Sequence, residues 1–158
     1  MAEMVNEELD EDTQNGRYLT FCLGNECYGL EISHVTEIIG MQPITEVPHL
    51  PEYVCGIINL RGKIIPVIDV RLRFKKPFQE YNDRTCIIVV DINDMAAGLI
   101  VDRVSEVLSI DDADIVTPQE LKSAHNRYTK GIGKVEDDVK LLLDCRRLLL
   151  DQDVDRQY

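Results

Sequence analysis

The chain has 158 residues, of which 44% are hydrophobic, and its formal net charge is −12. This length allows one ordinary domain with a real core, or two very small lobes that share one. It contains no apolar run near the roughly 18 residues of a membrane span, and the lack of a basic patch argues against a nucleic-acid partner.

The first sixteen residues, MAEMVNEELDEDTQNG, contain six acids and no Lys or Arg. A secretory signal peptide needs a basic start and an apolar stretch, so we expect a cytoplasmic protein. Because residues 1–16 have few large apolar side chains and a dense charge, we expect this segment to be disordered.

Short apolar runs rich in Val and Ile, separated by Gly, Asn, Asp and Pro, predict five strands in the first half of the chain. Pro66 in the last strand predicts a bulge or a sheet edge at that point. The predicted strands are 18–23, 27–32, 35–39, 55–60 and 64–68.

None of the five cysteines belongs to a CxxC pair, and the number is odd. These facts argue against a disulfide framework and against a zinc site. Cys22 and Cys27 should face each other across the turn at Gly24-Asn25, where we expect two small buried thiols in a reducing cytosol.

The sequence contains an internal repeat. Residues 18–41 align without a gap with residues 87–110, so that Gly29 matches Gly98 at an offset of 69. Further on, 56–74 aligns with 131–149 at an offset of 75. Two ungapped matches in the same order, with turn formers at the same places, indicate a duplication.

The change of offset places six extra residues in the second copy, around the polar stretch 114–129, where we expect a short helix. The duplication predicts two sister lobes of about 65 residues, each a small closed barrel of mostly antiparallel strands. Asp69 and its counterpart Asp144 each follow a strand, which predicts helix N-caps rather than catalytic acids.

Motifs that carry chemistry are missing. The sequence has no GxGxxG, GxxxxGK[ST] or GxSxG motif, and its three histidines have no ligand-like spacing. The acidic stretch 109–116 lacks the Gly and the distant Glu of an EF-hand loop and predicts a solvated turn opening a helix at Ser109 or Asp111. We therefore predict no catalytic residue, metal or cofactor, and the rival hypothesis is an enzyme or small-ligand protein with a pocket between the lobes.

Residues 56–71, GIINLRGKIIPVIDVR, predict a β-hairpin with Arg61 at its tip, because Gly62 permits positive φ. The sister lobe has Val135-Glu136-Asp137 at this tip, so the fold uses the turn twice but arginine only once. Arg61 is therefore a solvated charge, an ion pair with the other lobe, or an anchor for a partner, since arginine is favoured at binding hot spots.

The same hairpin, with YGLEISHVTEI before it and GLIVDRVSEVLSI after it, resembles the CheW-like family of bacterial chemotaxis coupling proteins. The resemblance covers about Tyr18 to Leu150. It implies a mainly β fold of two SH3-like five-stranded β-barrel subdomains around a shared core, with short helices. The implied domain is 17–150, with lobes at about 17–82 and 83–150 and a tail at 151–158.

The resemblance also implies a function. Proteins of this family are non-catalytic adaptors that link the cytoplasmic tips of methyl-accepting chemoreceptors to the histidine kinase CheA, whose regulatory domain they bind. We therefore expect a cytoplasmic protein that is recruited to membrane receptor arrays without inserting into the membrane.

Family positions can be carried over where the local motif matches. The resemblance assigns receptor binding to Arg61, Val35, Glu37 and Val107, with a helical receptor tip lying in an apolar groove between the lobes. Kinase contact is assigned by rough alignment to Leu19 and Ile32, for which a role in the core stays open.

Overall fold

The computed structural model describes residues 16–117 and 127–150. Its strands are β1 (Arg17–Leu23), β2 (Glu26–Glu31), β3 (Val35–Gly40), β4 (Val54–Leu60), β5 (Lys63–Asp69), β6 (Cys86–Ile92), β7 (Met95–Val101), β8 (Arg103–Ser109), β9 (Ile115–Val116), β10 (Thr129–Val135) and β11 (Asp138–Leu143). Its α-helices are α1 (Val70–Arg73) and α2 (Cys145–Leu150).

The five strands predicted for the first half are confirmed, each with both bounds within one residue. Tight two-residue turns join the hairpin strands, at Gly24-Asn25 between β1 and β2 and at Arg61-Gly62 between β4 and β5. Apolar alternation and turn chemistry are local signals, and they place these elements without knowledge of the tertiary fold.

The strands form two sheets. The five-stranded sheet has the order β3-β6-β7-β5-β4, and the six-stranded sheet has the order β8-β1-β2-β11-β10-β9. In the sequence repeat, β3 corresponds to β8, β4 to β10 and β5 to β11. These strands occupy equivalent positions in the two sheets. The first hairpins are exchanged: β1 and β2 lie in the six-stranded sheet, and β6 and β7 lie in the five-stranded one.

Because of this exchange, the two sheets do not coincide with the two halves of the chain. The predicted lobe boundary near residue 82 falls between α1 and β6, yet each sheet takes strands from both sides of it. The boundary describes the sequence repeat, and the two repeats are bound together by the main-chain hydrogen bonds of both sheets.

The mainly β fold class is confirmed, but the expectation of closed barrels is corrected. Among the described strands, the edge strands of each sheet do not pair with each other. On the free side of β4, the only pairing among the described residues is a single bridge. Thr45 and Ile57 exchange two backbone hydrogen bonds of 2.9 Å there. The pair Ile132 and Val116, which joins β10 to β9, is its counterpart.

Gly56 shows why this contact is close. It lies at a β-bulge with φ of 149°, and a Cβ there would lie 2.2 Å from the carbonyl oxygen of Thr45. Only glycine lets the two backbones approach so closely. Gly131, its counterpart, lies at the bulge of β10.

The described residues form three apolar clusters. One contains only residues of the five-stranded sheet and its flanking loops, and a second contains only residues of the six-stranded sheet and the loop after β8. The largest joins both sheets, from Phe21 of β1 to Leu99 of β7 and Leu148 of α2, each 0% exposed. This cluster is the shared core that the resemblance implies.

Both predicted N-caps are confirmed. The Asp69 carboxylate accepts a hydrogen bond of 2.9 Å from the Arg71 amide, and the Asp144 carboxylate accepts one of 3.1 Å from the Arg147 amide. The turn expected in the acidic stretch is a single 3-10 turn, Asp112–Asp114, after Asp111.

Pro66 lies in β5, between β4 and β7. The register with β7 begins only at Val67, so the proline faces no partner strand on that side. β5 is thus an inner strand of the sheet, and only its first half, which includes Pro66, is unpaired on the β7 side.

Three expectations fall wholly or largely outside the described residues. They are disorder in 1–16, the helix in 114–129, of which 118–126 are not described, and the tail 151–158.

The expectation of two free thiols at Cys22 and Cys27 is wrong, because the structure joins them in a disulfide. The two residues are direct partners across β1 and β2, as predicted, and their Cα atoms are 4.0 Å apart. Direct opposition at the end of a hairpin brings the two sulfur atoms together. Cys55, Cys86 and Cys145 remain free.

No helix within residues 16–117 and 127–150 is long and apolar enough to cross a bilayer. The same residues contain no group of three or more His, Cys, Asp or Glu side chains placed to hold a metal ion.

Candidate protein-binding site

The tip of the β4–β5 hairpin is a two-residue turn in which both residues have positive φ, 52° at Arg61 and 84° at Gly62. Such turns match the twist of the flanking strands. The Asn59 side chain accepts a hydrogen bond of 2.9 Å from the Gly62 amide. Glu136 occupies the matching position of the β10–β11 hairpin with φ of 56°, so the backbone does not require an arginine at this tip.

The side chain of Arg61 forms an ion pair with Glu37 of β3. β3 is one edge of the five-stranded sheet, and the hairpin that carries Arg61 contains the other edge strand, so the pair crosses one face of the sheet. The sequence left open an ion pair with the other lobe. The structure shows an ion pair within the same repeat and the same sheet.

A groove of about 330 Å³ lies beside this pair. Its floor includes the buried side chains of Ile65 and Val89, which are 2% and 4% exposed. Its rim carries charges of both signs. The lining residues are Thr36, Glu37, Leu60, Arg61, Lys63, Ile65, Val89, Asp91 and Ala96.

An apolar floor with a charged rim is suited to binding an amphipathic partner segment, because the floor takes apolar side chains while the rim pairs with polar ones. The rim also exposes its arginine: the side chain of Arg61 is 69% exposed, against 31% for Glu37. We call this surface the Arg61 groove.

The other predicted receptor-binding residues lie on edge strands. Val35 is half-buried on β3 and packs against the shared core. Val107 lies on β8, the edge of the six-stranded sheet, and is 39% exposed. The structure thus brings Arg61 and Glu37 into contact, places Val35 on the same strand as Glu37, and places Val107 on the other sheet.

Sequence reasoning missed one exposed apolar residue of β3, which lies outside the groove lining. Ile38 is 44% exposed on β3 and is the counterpart of Val107 in the repeat, at the same offset of 69. Each sheet therefore exposes one large apolar side chain at the same place on its edge strand. The offset alone would have identified Ile38 from Val107.

The two residues assigned to kinase contact are placed differently from those at the groove. Leu19 is 3% exposed and belongs to the shared core, and Ile32 is half-buried against that core in a 3-10 turn. Both residues therefore contribute to the core, which was the alternative role left open for them. A kinase contact at either residue stays a prediction.

A half-buried ion pair links α1 to the connection between β7 and β8. Arg71 at the start of α1 binds Asp102, between β7 and β8, through Nε at 2.9 Å and Nη2 at 2.6 Å. Asp102 also accepts a hydrogen bond of 2.8 Å from the Gly24 amide. The Arg71 guanidinium lowers the pKa of Asp102. The link fixes the β1–β2 turn against the start of β8.

Asp69, by contrast, is a buried carboxylate and is 2% exposed. Burial raises its pKa, and the hydroxyl of Tyr81 opposes that effect by donating a hydrogen bond of 2.8 Å to the carboxylate. Since Asp69 also caps α1, its contacts account for its position in the motif without a catalytic role.

The described residues form a small, mainly β protein of two sheets around a shared core, with a charged groove on one face. Residues 17–153 match the family model of the CheW-like domain. The chain belongs to the CheW-like family.

Named relatives agree with this assignment. The chain is 33% identical over 148 residues to the chemotaxis protein CheW of Klebsiella aerogenes, covering 93% of this chain and 89% of the relative. It is 36% identical over 133 residues to CheW of Helicobacter pylori, covering 84% and 81%. The crystal structure of the scaffolding protein TtCheW from Thermoanaerobacter tengcongensis is 39% identical, with a TM-score of 0.78 over 84% of this chain and 91% of that chain.

Proposed function

We propose that this protein is a non-catalytic adaptor that couples methyl-accepting chemoreceptors to the regulatory domain of the histidine kinase CheA, on the cytoplasmic side of a receptor array. Membership of the CheW-like family supports a role in chemotaxis. The observation that carries the receptor part of the proposal is the ion pair between Arg61 and Glu37 at the rim of an apolar groove.

The groove supports recognition of a helix. A helical receptor tip would place its apolar side chains against Leu60 and Ala96, the half-buried apolar residues of the groove lining. Its acidic side chains would meet Arg61, whose guanidinium offers a rigid fork of donors to a carboxylate. Val35 and Val107 extend the proposed surface along the two edge strands.

The proposed kinase contact lies away from the groove. Ile32, which is half-buried, is available at its exposed atoms, whereas Leu19 is enclosed in the shared core and would act through packing. Loss of receptor binding and loss of kinase binding should therefore be separable by mutation.

The test is a pull-down with two purified partners, a receptor cytoplasmic fragment and the CheA regulatory domain. We expect a ternary complex at micromolar concentrations, and Arg61→Glu should remove the receptor while retaining the kinase domain. The matched control is Glu136→Arg at the same turn position of the sister hairpin, which should retain both partners. Failure of the unmodified protein to associate with either partner would contradict the adaptor function.

A further inference from the structure

A second surface, which we call the basic cleft, lies where the segment after α1 meets β2, β10 and β11. It is a cavity of about 570 Å³ with four cationic side chains and one acid, in a chain of net charge −12. Its lining residues are Glu26, Tyr28, Arg73, Phe74, Lys75, Lys76, Arg127, Tyr128, Thr129 and Leu141. A neighbouring cavity of about 760 Å³ shares Arg73, Lys75 and Lys76 with it.

The end of α1 places two of these cations at the cleft, and Lys76 Nζ binds the Glu26 carboxylate there at 2.6 Å. Lys75 has φ of 63°, and its amide donates to the Leu72 carbonyl at 3.0 Å while the Lys76 amide donates to the Arg71 carbonyl at 2.7 Å. This is the Schellman arrangement, in which glycine is the usual residue at the left-handed position. The protein has a lysine there, and Lys75 is exposed at the mouth of the cleft.

The wall of the cleft is aromatic. The Phe74 ring lies 5.3 Å from the Tyr28 ring and 5.6 Å from the Tyr128 ring, measured between centroids. The Arg73 guanidinium lies between Tyr53 and Tyr128, 4.0 Å and 4.9 Å from their centroids. Cations fixed beside aromatic faces favour a partner that has both carboxylates and apolar atoms.

The last turn of α2 ends at this cleft. Arg73 donates to the carbonyl of Leu148 at 2.9 Å and to the carbonyl of Arg147 at 3.5 Å. Arg147 in turn donates to the carbonyl of Arg127 at 3.3 Å. The last turn of α2, which ends at Leu150, therefore lies beside the cationic rim.

We propose that the basic cleft is a binding site for a short acidic peptide, and that its occupant in this protein is the segment 151–158, DQDVDRQY. This segment contains three aspartates and one arginine, and its valine and tyrosine can contact the aromatic wall. Eight residues span at most about 26–29 Å when extended, and the segment is attached at the end of α2.

The acidic segment 1–15 is the competing occupant, and its point of attachment is less favourable. The Gly16 carbonyl accepts a hydrogen bond from the Ile110 amide at the open end of the β1–β2 hairpin, whereas Glu26 lies at its turn. That end is separated from the cleft by about five residues of strand, roughly 17 Å. The C-terminal segment is attached to α2, whose last turn contacts Arg73 of the rim.

The experiment uses the full chain labelled with ¹⁵N and compares backbone amide shifts. Neutralising the tail with Asp151→Asn, Asp153→Asn and Asp155→Asn should shift the amides of Lys75, Lys76 and Tyr128, and raised salt should shift the same amides in the unmodified chain. Lys75→Glu should shift the amides of 151–158. The matched control is Lys134→Glu, at the far end of β10, which should leave the tail amides unchanged.

A binding measurement gives the second readout. The synthetic peptide DQDVDRQY should bind the neutralised-tail variant several-fold more tightly than the unmodified chain, because the resident tail competes. Adding Lys75→Glu to that variant should weaken peptide binding by roughly tenfold, as expected when one charged contact is lost.

Two results would overturn the proposal. One is that neutralising the tail leaves all cleft amides in place. The other is that neutralising Glu7, Glu8 and Asp10 shifts the cleft amides while neutralising the tail does not, which would identify the N-terminal segment as the occupant.

Discussion

Arg61 and Glu37 form an ion pair that joins a hairpin tip to the opposite edge strand of the same sheet. The resemblance to the CheW-like family assigns both residues to receptor binding independently of this contact. An ion pair this exposed contributes about 0–1 kcal/mol to stability, because water screens both charges. We propose that its main effect is to hold the guanidinium at the rim of the Arg61 groove, where a partner would contact it.

Arg61→Ala should therefore change the free energy of unfolding by no more than about 0.5 kcal/mol, the usual range for surface changes. It should weaken binding of a receptor fragment by more than about 1 kcal/mol, the usual size of a hot-spot loss. Unfolding midpoints and titration calorimetry measure the two effects. Unchanged receptor affinity in a stable Arg61→Ala protein would rule out the anchor role.

A charge swap separates the two roles of Arg61. The double variant Arg61→Glu with Glu37→Arg keeps an ion pair across the groove but reverses its direction. If Arg61 contacts the partner directly, the swap should bind the receptor fragment as poorly as Arg61→Glu alone. Recovery of binding in the double variant would show instead that receptor binding requires an ion pair across the groove in either orientation.

Local patterns in the sequence predicted the strands, the turns and the two N-caps, because each depends on residues within a few positions of one another. They could not predict the partner of Arg61. β3 reaches that hairpin only through β6 and β7, which belong to the other repeat. An exchange of hairpins between two similar repeats leaves every local pattern unchanged, so it cannot be read from periodicity.

The disulfide between Cys22 and Cys27 was missed for a different reason. The sequence correctly placed the two residues opposite each other, and the assumption of a reducing compartment then decided against a bond. Disulfide formation depends on the distance between the two sulfur atoms as well as on the redox state of the solution. The hairpin register fixes that distance.

The disulfide makes a simple thiol count decisive. Denatured protein purified without reductant should show three free thiols, from Cys55, Cys86 and Cys145, and five after reduction. Reduction should cost less than about 2 kcal/mol, because the bond closes a loop with a sequence separation of only 5 that the turn already closes. Five thiols before reduction would contradict the pairing.

Tyr81→Phe tests the support of the buried Asp69 carboxylate. Loss of the phenol hydroxyl should raise the pKa of Asp69 further, because burial is then opposed by fewer hydrogen bonds. A raised folded pKa means that the native state holds its proton longer, so the stability of this variant should fall more as pH rises above about 3.9. A ¹³C titration of the Asp69 carboxyl measures the shift, and an unchanged pKa would contradict the assigned role.

The link between Arg71 and Asp102 should make the opposite contribution to the pH dependence of stability. The pKa of Asp102 is lowered in the folded protein, so its contribution is complete above the unfolded value of about 3.9 and is lost as pH falls through the folded value. Asp102→Asn should cost about 1–2 kcal/mol near pH 7, because the Arg71 side chain, only 14% exposed, then faces no charge. The cost should shrink towards zero below the folded pKa, where the native carboxyl is also neutral.

Chemical denaturation at several pH values measures this difference, with Asp83→Asn as the matched control, since Asp83 is an exposed loop residue. The control should change stability by less than about 0.5 kcal/mol at every pH. Because Asp102 also accepts the Gly24 amide, its loss should loosen the β1–β2 turn, and amide exchange at Gly24 should become faster in Asp102→Asn alone. A cost that is the same at pH 3 and pH 7 would show that Asp102 acts through packing rather than through its charge.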